Sequence, residues 1–148
     1  MPAAQTQMSN FSTELRRLAE ALWNKKDPVE TNLTWYALKE GFAYADSQRQ
    51  EVKRFNEILG ETGWVANAIA FGKDRVWVGT NKGLLAWDRK NHFWSRFAVG
   101  GTLVDVPVKE LSLTQAEILK VVVEEQGKPA STYEYDAQAA KWTELSAR

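Results

Sequence analysis

The chain has 148 residues, 44% of them apolar and 26% charged, which is the balance of a folded domain with a real core and not of a disordered segment. Lys and Arg equal Asp and Glu at 19 each, so no basic excess marks a nucleic-acid or membrane surface. There is no cysteine and one histidine, which excludes disulfides and ordinary thiolate metal sites.

No apolar run reaches membrane-spanning length, and the first ten residues, MPAAQTQMSN, lack the basic start and apolar stretch of a secretory signal. Taken as a complete chain, these features lead to the expectation of a cytoplasmic protein. Residues 1–11 read as a disordered tail. Phe11, Leu15, Leu18 and Leu22 then recur at helical spacing, Ser12 offers a cap, and Asp27-Pro28 is a stop. The spacing predicts an amphipathic helix over Ser12–Asn24, with helix and linker together filling residues 12–31.

An internal repeat organises the rest. With residues 32–55 laid over 74–97, a shift of 42, Trp35 falls on Trp77, Gly41 on Gly83, Asp46 on Asp88, Arg54 on Arg96 and Phe55 on Phe97 without a gap. A third copy follows, first at the same shift (Ile69 and Phe71 on Leu111 and Leu113) and then, after a six-residue insertion, at a shift of 48: Trp87 on Tyr135, Asp88 on Asp136, Trp94 on Trp142.

The first copy, residues 32–59, reads as a partial unit, because Asp27-Pro28-Val29 stands where its first strand should be. A helix is the rival reading over 36–59, since Leu38, Phe42, Ala45, Val52, Phe55 and Leu59 also fit helical spacing. Gly41 and the matched repeat positions favour strands. The middle copy, residues 60–104, predicts four strands: Val65–Phe71, Arg75–Gly79, Leu84–Trp87 and Phe93–Phe97. Polar turns separate them, with Gly83 suited to positive φ. The third, residues 105–148, predicts strands at Val108–Leu113, Ile118–Val123, Ser131–Tyr135 and Lys141–Leu145, with a longer second turn at Glu124–Pro129. Four short strands per repeat of this length is the content of one β-propeller blade. The expected class is therefore mainly β: propeller-like antiparallel blades, two complete and one partial, preceded by a helix.

Val76-Trp77-Val78-Gly79-Thr80-Asn81-Lys82-Gly83-Leu84, followed by Trp87-Asp88, resembles the two-component regulator propeller repeat: an aromatic strand, Gly-Thr, a short turn, Gly-Leu, then an aromatic-Asp pair. The likeness is best over residues 60–97. In the first copy Ala37-Leu38 replaces Gly-Thr, and the third copy keeps the hydrophobic pattern and Tyr135-Asp136. The resemblance implies blades of a larger, often periplasmic, sensory protein, with no shared catalytic residues.

The candidate sites each have a plainer reading. His92 lies in a polar turn and stands alone. Asp46, Asp88 and Asp136 recur at one position; a cation at each blade needs more oxygen ligands than recur nearby, whereas an Asp at a turn accepts backbone N–H bonds two or three residues on. Thr80-Asn81-Lys82-Gly83 lacks the spacing of a phosphate loop and reads as a hairpin turn. Glu124 and Glu125 are adjacent in or near a strand and so face opposite ways. No cofactor or metal is expected. Most of the tryptophans read as packing between blades. The residues singled out for partner contact are Trp64, in a connection between blades, and Asn81 and Lys82, at a turn tip.

Residues 61–104 carry six Lys/Arg against three Asp/Glu, and residues 105–148 five against eight, which suggests electrostatic pairing between repeats or chains. The sequence thus points to a non-enzymatic interaction or ligand-sensing module, part of a larger propeller or self-associating, with a protein or a second copy as partner. Its rivals are a lyase-like propeller enzyme, which the lone His92 disfavours, and a structural protein that completes a ring from several copies.

Overall fold

The computed structural model describes residues 3–146 and is mainly β, with one helix and three four-stranded antiparallel sheets consistent with propeller-like blades. The chain divides into two compact units, the first running to Val65 and the second beginning at Ala66.

The first unit holds helix α1 (Ala3–Leu18) and strands β1 (Trp23–Lys26), β2 (Leu33–Ala37), β3 (Phe42–Asp46) and β4 (Glu51–Phe55), hydrogen-bonded in sequential order. The helix lies earlier than the spacing predicts. Residues 3–11, expected as a disordered tail, belong to it; Ala, Gln and Met there are good helix formers. Arg16 and Arg17 place positive charge at its C-terminal end, and the chain leaves through tight bonds from Ala19 N–H to Arg16 O (3.1 Å) and Ala21 N–H to Leu18 O (3.0 Å). Leu22 is consequently outside the helix and exposed.

The chain then forms β1, so the first sheet is complete where a partial one was expected. Lys25 pairs with Trp35 and Lys26 with Thr34. Asp27-Pro28 ends this strand early but does not prevent it. The Asp27 carboxylate is buried, accepting N–H bonds from Val29 (2.9 Å) and Glu30 (3.1 Å) and the Trp35 indole N–H (3.4 Å), and so builds the turn into β2.

Residues 36–59 contain strands and not the rival helix. Gly41 has φ +81°, which a helix forbids, and Phe42 faces Phe55 across the β3–β4 pair. Trp35, Phe42, Tyr44 and Phe55 form one aromatic face, with Trp35 and Phe55 stacked at 6.1 Å. Phe11, Leu15 and Leu18 of α1 cover the other, on Tyr36, Ala43, Ala45 and Val52. The small Ala43 and Ala45 let the helix approach, and Glu14 pairs with Arg54 at 3.1 Å beside them.

The second unit holds two sheets: β5 (Ala66–Phe71), β6 (Arg75–Thr80), β7 (Gly83–Asp88), β8 (Trp94–Phe97), and β9 (Val108–Leu113), β10 (Ile118–Val123), β11 (Ser131–Asp136), β12 (Lys141–Ser146). They face each other across a core of Ala70, Trp77, Leu84 and Ala86 on one side and Val108, Leu119, Val121, Val123 and Tyr135 on the other. Gly79 permits the closest approach: a Cβ there would collide with Val108 and lie 3.4 Å from Leu111 Cγ. The opposite face of the β9–β12 sheet is polar, with Ser112, Lys120, Glu134 and Thr143 in register across the strands.

The recurring aspartates have the turn role expected of them. Asp46 Oδ1 accepts from Gln48 N–H and Arg49 N–H, Asp88 Oδ1 from Lys90 N–H and Asn91 N–H, and Asp136 Oδ1 from Gln138 N–H and Ala139 N–H, all at 2.8–3.1 Å. Four residues after each, Gln50, His92 and Ala140 take φ of +58°, +58° and +53°. One hairpin geometry is thus used in all three sheets.

Candidate functional site

The β6–β7 turn and the β10–β11 loop occupy equivalent places in the two sheets of the second unit, at the end where β5 and β9 begin: Ala66 pairs with Thr80, and Val108 with Val123. In the first sheet the turn is minimal. Thr80 Oγ1 donates to Gly83 O (2.7 Å) and accepts from Lys82 N–H (3.1 Å), while Arg96 Nη2 donates to Lys82 O and to the Asp105 carboxylate, both at 2.6 Å. The Arg96–Asp105 contact joins the basic repeat to the acidic one, as their charges suggest. In the second sheet the corresponding loop is longer and overhangs β9.

Beneath that overhang lies an open groove of about 820 Å³ lined by Asn67, Pro107, Val108, Lys109 and residues 124–129. Its floor is fixed by backbone and side-chain bonds: Asn67 Nδ2 donates to Val108 O (3.0 Å) and Glu124 N–H to Pro107 O (3.1 Å). The loop closes on itself through Lys128 N–H to Glu125 O (3.1 Å), and Gly127 has φ +78°. Pro107 and Pro129 add apolar walls that need no backbone donor satisfied.

Glu124 pairs with Lys109 (3.5 Å) and Glu125 with Lys128 (3.8 Å), so the two carboxylates have separate partners and form no dyad. Both pairs are exposed and weak, worth at most about 1 kcal/mol each, and leave the groove electrically balanced. Burial raises the Tyr133 phenol above its usual pKa, with Glu144 and Glu125 adding to the effect, so it stays a protonated donor beside the loop. Among the described residues no group of three His, Cys, Asp or Glu stands together that could hold a metal ion. The arrangement offers hydrogen-bond donors, acceptors and two proline surfaces: the chemistry of binding a polar ligand.

Of the residues singled out from the sequence, Trp64 is fully buried in the first unit, its indole N–H donating to Glu61 O at 3.0 Å, and presents no ring face for contact. Asn81 is exposed and Lys82 half-buried at the β6–β7 turn, on the groove's end of the sheets but not in its lining. His92 is an exposed turn residue stacked on Trp87 at 5.4 Å. Asn67 and Lys109 were not singled out, and of the 124–129 loop only Glu124 and Glu125 were considered, as a carboxylate pair. Their signal was the six-residue insertion before Tyr135, since insertions in one repeat mark loops on one face, often the binding face.

No protein-family model matches the chain, and no curated protein matches it. Its fold is similar to solved structures of the extracellular domain of BT4673 from B. thetaiotaomicron. One, described as a one-component system, has a TM-score of 0.65 at 15% identity. Another, described as a hybrid two-component system, has 0.63 at 17%. Each comparison covers 80% of this chain and 16% of the other, so the chain spans about a sixth of that domain. The expectation of a cytoplasmic protein is corrected by these structures, because the domains that share the fold are extracellular. A fold held together without cysteine is indifferent to the redox state of its compartment.

Proposed function

We propose that this chain is a non-enzymatic sensing module built from two-component regulator propeller repeats, acting outside the cell as part of a larger propeller, and that the groove under the β10–β11 loop receives its ligand. The observation that carries the reading is the groove itself: an insertion in one repeat, braced on β9, presenting weakly paired charges and amide groups between two prolines. The fold shared with the BT4673 extracellular domain supports an extracellular setting. The Gly79-Thr80 and Gly83-Leu84 pairs, standing at the β6–β7 hairpin as the repeat pattern requires, support the repeat assignment.

Equal numbers of Lys and Glu favour an uncharged polar ligand, such as a sugar chain or a peptide segment of a protein partner, over a polyanion. Stacking on another copy through the β9–β12 sheet is less favoured, because that face carries Lys120, Glu134 and Thr143 where a stacked blade wants apolar side chains.

The test is a thermal-shift screen of uncharged oligosaccharides and short peptides, run on the natural chain and on a variant with residues 124–129 shortened to a two-residue turn like Asn81-Lys82. Binders raise the melting temperature of the natural chain and not of the shortened one, whose far-UV spectrum is unchanged. A binder that stabilises both equally refutes the groove as the site.

A further inference from the structure

At the opposite end of the second unit, the hairpin turns of its two sheets enclose a cleft of about 480 Å³. Arg75 opens into it from the start of β6. Its guanidinium lies 5.4 Å from the Trp77 ring centroid and 5.1 Å from that of Phe97, which are themselves in edge contact at 4.8 Å. Among the described residues the Arg75 side chain makes no hydrogen bond or ion pair. Its five N–H donors are therefore held half-buried against aromatic rings with no acceptor from the protein, free to be taken up by an anion that enters the cleft.

The cleft's carboxylates do not fill that role. Asp88 Oδ1 accepts the N–H groups of Lys90 (3.0 Å) and Asn91 (2.8 Å), and Glu117 Oε1 accepts Lys73 N–H (2.9 Å). The ammonium groups of Lys73 and Lys90 make no ion pair either among the described residues. Counting Arg89 and Asp74, the lining carries one positive charge in excess.

We propose that this cleft is a binding site for a small monocarboxylate, with Arg75 as its anchor. A guanidinium held against the Trp77 and Phe97 rings keeps a planar N–H fork for its ligand, and a carboxylate matches that fork with two parallel bonds. The single excess charge suits a monoanion; a phosphate dianion would meet Asp74 and Asp88 in the same space. Trp77, almost fully buried, packs against the guanidinium from the cleft wall and orients it. The site is independent of the groove, which lies at the other end of the sheets.

The experiment titrates acetate, pyruvate and glucuronate, with sulfate and phosphate as comparison anions, into the natural chain while reading the Arg75 Nε–H resonance and tryptophan emission. A monocarboxylate that shifts the Arg75 resonance saturably, and binds more tightly than sulfate or phosphate, supports the proposal. Arg75→Lys keeps the charge and loses the fork, so affinity falls about tenfold; Arg75→Gln abolishes binding; Lys109→Gln, in the groove, leaves it unchanged. The natural-chain resonance decides the matter even if an Arg75 variant fails to fold. No response to any carboxylate, a response equal for all five anions, or binding unaltered in a folded Arg75→Gln overturns the proposal.

Discussion

Gly79→Ala places one methyl group at the tightest point between the two sheets of the second unit. The added carbon would lie against Val108, which is completely buried and β-branched and so has no free rotamer to yield, and 3.4 Å from Leu111 Cγ. Such overpacking costs about 1–3 kcal/mol, and with a urea m-value of about 1–3 kcal/mol/M the unfolding midpoint falls by about 1 M at unchanged slope. Val108→Ala alone loses two buried methyl equivalents and leaves a cavity, about 2 kcal/mol. Combined, the new methyl occupies the vacated space, and the pair is less destabilising than the two single changes together by about 1–2 kcal/mol. Urea unfolding of all four chains, followed by far-UV circular dichroism, measures this coupling. A Gly79→Ala chain as stable as the natural one, or strictly additive losses, refutes the face-to-face packing of β6 on β9.

The Asp46 carboxyl is pushed up by burial but held below its usual pKa of 3.8 by the Asn32 amide and the Arg49 and Gln48 N–H groups, which outweigh it. Its contribution is therefore complete above pH 3.8 and lost as pH falls through the lower folded value; Asp46→Asn removes that part of the acid loss in a stability-against-pH series. Asp136→Ala, which deletes two turn bonds, costs about 1 kcal/mol, whereas Ala140→Gly, at φ +53°, stabilises by up to about 1 kcal/mol in thermal unfolding. Leu18→Ala, under the helix, costs about 2–5 kcal/mol, while Leu22→Ser, on the exposed side of the helix exit, stays within about 0.5 kcal/mol; equal losses contradict the helix boundary.

The blades were legible because their signals are local and repeated. The 42-residue shift aligns Trp35 with Trp77 and Asp46 with Asp88, and each pair has one structural role: a core ring and a turn carboxylate. Strand β1 was missed because Asp27-Pro28 looks like a breaker, while the residues that follow Trp23 in the strand, Asn24 to Lys26, are polar and exposed; they are held by pairing to β2 and not by apolar pattern. The helix start was missed because Ala3–Asn10 carries little apolar periodicity. The groove was only half legible. Its loop showed as an insertion, but Asn67 and Lys109 lie 42 residues apart, and only the pairing of sheets brings them together. Arg75 reads in sequence as an ordinary strand-initial charge; its position over two rings comes from Trp77, two residues on along β6, and Phe97 of β8, which strand pairing brings to the same face.

The claim that the groove is a ligand site is tested most directly by amide spectra of the ¹⁵N-labelled chain during titration with uncharged oligosaccharides and short peptides. The account predicts saturable shifts centred on Asn67, Lys109, Gln126, Gly127 and Lys128, with Trp23–Phe55 unmoved. Saturable shifts centred elsewhere, or no response of these five amides to any member of either set, would contradict it.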